Sequence, residues 1–145
     1  MSTSTSPPTL DQQRAAHALK MIQELAASNK HDGMYVSYVS ALPATIVMNG
    51  IGQALATELA KDKGKGNSHR KLFDHLADWL TTEGRPLAAA NRPKDPKSVF
   101  GILTRSEEDY ISSQIEAMAY IHWLKQFARA FLVDRAFSDE ATNND

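Results

Sequence analysis

The sequence predicts an all-α fold, a single-domain helical bundle of about five to six helices with a long C-terminal helix. Three observations predict it. Every apolar stripe long enough to classify recurs at offsets of three, four or seven residues, the spacing of one helix face, and none alternates with the period of a strand. From Ser106 to about Ala136 no Gly or Pro interrupts such a stripe, which at 1.5 Å per residue gives a helix about 45 Å long. Finally, 145 residues with 42% hydrophobic content suffice for one compact core that buries roughly 70% of the unfolded surface.

Residues 1–8 (MSTSTSPP) are small and polar and read as a flexible tail, and residues 9–137 as one helical domain. Thr9 stands three residues before Gln12, a capping-box spacing, and Ala18, Met21, Ile22 and Leu25 follow at helical intervals, so a first helix spans about Leu10 to Ser28. The cluster Asn29 to Gly33 ends it. Tyr35, Tyr38, Val39, Leu42 and Ile46 carry a second helix, with Pro43 costing one backbone hydrogen bond inside it. Asn49-Gly50 joins the two residue types most tolerant of a left-handed backbone, which predicts a break there before a third stripe, Ile51, Leu55 and Leu59. Lys61 to Ser68 reads as a flexible basic loop. Leu72, Phe73, Leu76, Trp79 and Leu80 define a fourth helix that stops near Gly84-Arg85-Pro86. After a proline-spaced connector, Asp95-Pro96 resembles an N-cap with a first-turn proline, opening a short helix with Val99, Phe100 and Leu103. Ser106 caps the last helix, whose first turn, Glu107, Glu108 and Asp109, suits the positive end of the helix dipole. Ile111, Ile115, Met118, Ile121, Leu124, Ala128 and Leu132 are its expected buried face, and residues 138–145 an acidic tail.

The near-neutral total hides a dipolar chain. Lys61 to Arg105 holds ten basic and five acidic side chains, whereas Ser106 to Asp145 holds three and eight. Such asymmetry fits a polyanionic or acidic partner, and equally fits lysine-rich loops kept for solubility. No cysteine is present, which excludes disulfides, thiolate zinc sites and cysteine nucleophiles. No apolar run approaches the ~20 residues of a bilayer span and the N-terminus lacks a signal-peptide core, so a cytoplasmic protein without a membrane partner is expected.

Gly50-Ile51-Gly52 superficially resembles a dinucleotide fingerprint, but the third glycine, the preceding strand and the βαβ unit are all missing. Gly64 and Gly66 likewise lack a Walker ending. His31-Asp32 and the group Asp74, His75 and Asp78 raise a metal-dependent hydrolase, yet the first adjoins a turn glycine and the second suits the wet face of a short helix. No catalytic residue, metal or cofactor is therefore assigned; His17 and His122 read as packed or surface histidines. Lys61, Lys63, Lys65, Arg70 and Lys71 can pair with phosphates or simply complement a helix C-terminus. Lys125, Arg129 and, more loosely, Arg135 form a basic strip opposite the core of the last helix, or a solvated face. Tyr120, Trp123 and Phe127 at helical spacing read as packing rather than base-stacking platforms.

Two blocks carry a resemblance. "LPATIVMNGIGQALA", Leu42 to Ala56, and "YISSQIEAMAYIHWLKQFARA", Tyr110 to Ala130, resemble the small helical subunit of the type III-B CRISPR RNA-targeting (Cmr) complex. The matching residues are Leu42, Pro43, Asn49, Gly50, Gly52, Gln53, Tyr110, Glu116, Ala117, Trp123, Leu124, Lys125, Phe127 and Ala128. The resemblance implies a non-catalytic all-helical protein, present in more than one copy, that stacks as an inner filament beside the backbone subunits holding the guide RNA and lines the path of the target RNA, with guide and target RNA as its nucleic-acid partners. Phosphate contacts suffice for that role because base pairing supplies sequence specificity. Lys125, Arg129, Arg135, Lys61, Lys63, Arg70 and Lys71 are the candidate RNA contacts, and Pro43, Asn49, Gly50, Gly52 and Trp123 the candidate structural or interface positions. The alternative is a standalone helical adaptor for a protein partner that binds no nucleic acid.

Overall fold

The computed structural model describes residues 6–28, 33–92 and 95–143, with side chains as far as residue 132. Among them five helices occur and no strand: α1 (Leu10–Ala27), α2 (Tyr35–Asp62), α3 (Ser68–Leu80), α4 (Pro96–Leu103) and α5 (Glu107–Asn143). The helix starts follow from their caps. Thr9 Oγ1 accepts from the Gln12 N–H (3.1 Å) while Gln12 Oε1 accepts from the Thr9 N–H (2.8 Å), which satisfies two donors that the first turn of α1 leaves unpaired. Asn67 caps α3 through the His69 N–H, Asp95 caps α4 through the Lys97 N–H, and Ser106 accepts from the Asp109 N–H at the start of α5.

The long helix α5 is the spine. Helices α1 and α2 pack along it, and α3 rests mainly on α2 while also reaching α5 and α1. The shared core is built from Ala18, Ile22 and Leu25 of α1, Val39, Leu42, Ile46, Ile51 and Leu55 of α2, Leu72, Phe73, Leu76 and Leu80 of α3, and Tyr120, Ile121, Leu124 and Ala128 of α5. Each fully buried Leu or Ile contributes about 1.5–3 kcal/mol relative to an exposed one. Leu87, after α3, is also fully buried and its N–H donates to the Leu80 carbonyl (2.9 Å), so the connector is pinned to the core at that point.

Four features differ from the sequence reading. Ile111 and Ile115 are 48% and 66% exposed, and the buried stripe of α5 begins instead with Ser113, Glu116 and Ala117. Polar residues can take those inner positions because each has a partner: Ser113 Oγ donates to the Asp109 carbonyl, and Glu116 is held by other helices. The break at Asn49-Gly50 is a kink within one continuous α2, with Gly50 its only non-helical residue; the helix runs through Pro43. Lys63 to Asn67 is a tight turn rather than a loose loop. Lys63 adopts a left-handed backbone (φ 55°), and buried Asp62 accepts from the N–H groups of Lys65 and Asn67. Lastly, α5 continues past Ala136, where no breaker residue intervenes. By length and composition α2 is long and apolar enough to cross a membrane, yet it is kinked at Gly50 and places Tyr35, Val39, Leu42, Ile46 and Leu55 in the bundle core.

Candidate functional site

The kink of α2 is built by α5. At Gly50 the backbone lies at φ 85° and ψ 160°, a conformation open essentially to glycine. A Cβ there would collide with the Tyr110 hydroxyl, and one on Gly52 would lie 3.2 Å from Tyr110 Cε2. The helix restarts after Gly50 with unpaired N–H groups, and α5 supplies their acceptors: Gln114 Oε1 for Ile51 (3.0 Å) and the Tyr110 hydroxyl for Gly52 (3.1 Å). The Asn49-Gly50-Ile51-Gly52 segment is thus a close helix–helix junction with its backbone donors already occupied. Within that segment Asn49 is exposed, and Pro43, seven residues before Gly50, is half-buried.

Polar side chains link the other helices from inside. Arg14 of α1 grips Glu116 of α5 with two nitrogens (2.6 and 3.1 Å), and the Trp79 indole N–H of α3 donates to the same carboxylate (3.1 Å). Burial would raise the Glu116 pKa, but the hydrogen bonds from Arg14 and Trp79 hold it below its ordinary value. His17 lies between the Tyr120 hydroxyl (2.6 Å) and Asp78 (2.7 Å); in a neutral ring Nε2–H donates to the carboxylate and Nδ1 accepts from the phenol. Tyr35 donates to Nδ1 of His75 (2.6 Å), whose pKa burial pushes down to about 4, with His17 and Lys71 adding to the shift. His69 donates to Glu58 (2.6 Å) and stacks on Tyr38 at 3.6 Å between ring centroids.

These contacts correct the reading of Asp74, His75 and Asp78 as a solvated face at His75, which is largely buried, and give the part-exposed Asp74 and Asp78 partners. His75 bonds Tyr35, Asp78 bonds His17, and Asp74 accepts from Arg70 (2.9 Å). Among the described residues no group of three or more His, Asp or Glu side chains could hold a metal ion; His31-Asp32 lies outside them. Sequence reasoning missed Arg14 and read His17 only as a packed or surface histidine without its partners, although a signal was present. They stand four residues before Ala18 and Met21, so the buried stripe of α1 continues backwards through polar residues that a hydrophobicity pattern does not count.

The candidate phosphate-binding residues fall into two sets. Lys61, Lys63 and Lys65 are exposed around the α2–α3 turn, with half-buried Arg70 and Lys71 in the first turns of α3. Arg70 pairs with Asp74 and lies 5.6 Å from the Phe73 ring centroid. On α5, Lys125 is half-buried and Arg129 exposed, while the Arg135 side chain lies outside the described residues. Trp123 packs against the core edge without entering it; its indole N–H donates to Asp11 (3.0 Å) and its ring stacks with Phe127.

The comparison with known families decides the class. The family model described as CRISPR-associated protein (Cas_Cmr5) matches residues 10–131, all five helices except the last turns of α5. The chain belongs to the Cmr5 family. It is accordingly a small subunit of a type III-B CRISPR complex and partners other Cmr subunits. The two sequence blocks that resemble Cmr5 proteins meet in space, since Gly50 and Gly52 of the first lie against Tyr110 of the second. Glu116 in the second block anchors Arg14 and Trp79, which ties this Cmr5 chain's spine to α1 and α3.

Proposed function

We propose that the chain is the non-catalytic small subunit of its complex, stacking with further copies of itself as an inner filament and contacting guide and target RNA through phosphates in antiviral defence. It works in the cytoplasm and uses no cofactor. The family match over residues 10–131 carries this reading. The side chains support it in one respect: Arg129 and Lys125 offer cations on the spine helix, whereas, among the described residues, His17, His69, His75, Glu58 and Asp78 are engaged in joining helices. Scattered cations without a base-reading pocket suit a strand whose sequence is already read by base pairing.

Co-purification of the chain with its neighbouring subunits, followed by sequencing of the bound RNA, tests the proposal. Guide RNA in the purified assembly, and target-RNA affinity that falls when the chain is omitted, are the expected results. Salt-insensitive association with protein partners and an RNA affinity indifferent to the chain would favour a protein adaptor instead.

A further inference from the structure

We propose that the groove between the start of α1 and the outer side of α5 receives an arginine side chain from a neighbouring protein subunit. The inference rests on the chain's place in a multi-subunit complex and deepens it by naming a contact. The groove has a volume of about 340 Å³ and is lined by Asp11, Ala119, His122, Trp123 and Gln126. That is within the range of sites that hold small ligands. Its chemistry is a carboxylate beside an aromatic ring, with Ala119 and the indole as apolar wall and His122 and Gln126 as polar flank.

Asp11 is held by two donors although its side chain is 59% exposed. Trp123 Nε1–H (3.0 Å) and Arg14 Nη1 (3.2 Å) both donate to its Oδ1, which leaves Oδ2 as an acceptor. The Trp123 hydrogen bond, with help from Arg14, holds the Asp11 carboxyl below its ordinary pKa, so it stays charged. Arg14 does not fill the groove itself, because its Nε and Nη2 are committed to Glu116. A planar guanidinium can stack on the indole and donate to Oδ2 at once, while its methylene stem covers the apolar wall. A lysine ammonium, a compact charge without a planar face, makes the poorer fit. Nucleic acid fits worse, since a phosphate would meet the charge of Asp11. At about 100° per residue, Lys125 and Arg129 lie about 160° and 120° around α5 from Trp123, so the cations offered to RNA face elsewhere.

The chain has two tryptophans, Trp79 and Trp123, and hence two indole N–H signals in a proton–nitrogen correlation spectrum; a Trp123→Phe variant assigns them. Titration with N-acetylargininamide at millimolar concentration should shift the Trp123 signal to saturation and leave buried Trp79 in place. The uncharged citrulline analogue should bind at least about tenfold more weakly, and Asp11→Asn, with melting temperature checked, should weaken the arginine response about as much. No shift, an equal response to citrulline, or a Trp123 shift produced by hexauridylate and not by arginine overturns the proposal. In reconstitution, the Asp11→Asn chain should enter the complex at least about tenfold less well than the wild type, and the Lys125→Ala/Arg129→Ala chain normally. Equal entry of Asp11→Asn overturns the arginine contact. Failure of the wild-type chain to enter overturns the subunit reading beneath it, whereas the titration alone isolates the groove.

Discussion

At the scale of single residues, Gly50 and Trp123 separate two kinds of importance. Gly50 is constrained twice, by a backbone conformation that L residues avoid and by the Tyr110 hydroxyl occupying the place of a Cβ. Gly50→Ala should therefore destabilise the fold by about 2–4 kcal/mol in chemical denaturation, combining strain with overpacking. Tyr110→Phe keeps the ring but leaves the Gly52 N–H unpaired, and should cost about 1–3 kcal/mol. Trp79 is almost fully buried and holds Glu116, so Trp79→Ala should cost about 3–5 kcal/mol. Trp123 is only half-buried, and Trp123→Ala should cost clearly less in the same measurement while weakening assembly. A loss at Trp123 as large as that at Trp79 would make it a core residue.

At the scale of elements, α3 is joined to α1, α2 and α5 through polar contacts, and this gives the bundle a pH dependence. His75 has its pKa pushed down to about 4 by burial, against about 6.5 when unfolded. Between those values the unfolded chain binds the proton and the folded chain does not, so stability is complete above about pH 6.5 and declines towards pH 4. The decline attributable to His75 is at most about 3 kcal/mol, from 1.36 kcal/mol per pKa unit. Thermal denaturation across that range should show a shallower slope for His75→Gln than for the wild type. Helices and several caps were legible in the sequence because Thr9-Gln12, Asp95-Pro96 and Ser106 act on their own neighbours. Partners such as Glu116 for Arg14, or Tyr35 for His75, were not, because they lie 102 and 40 residues apart and only packing brings them together. Ile111 and Ile115 failed for the related reason that periodicity gives a stripe without saying which side of it another helix covers.

For the whole molecule, the family motifs made the Cmr5 class legible, whereas the proposed RNA face depends on partners that one chain does not contain. A surface that binds phosphates works by summing several charges, so single substitutions should be mild and paired ones informative. The turn set Lys63 and Lys65 is exposed at the end of α2, and immobilising such long side chains costs entropy. The set on α5 stands on the helix against which α1, α2, α3 and α4 all pack, and the proposed function takes it as the phosphate surface. The most direct test is the salt dependence of target-RNA affinity for the assembled complex, compared between the wild type, Lys125→Ala/Arg129→Ala and Lys63→Ala/Lys65→Ala. The α5 variant should lose affinity uniformly across target sequences and reduce the slope of log affinity against log salt by about 1.4, at about 0.7 per lost single-strand contact, with helical content unchanged and the smaller effect in the turn variant. An α5 variant that keeps both affinity and slope while the turn variant loses them would contradict the assignment of the RNA face to α5.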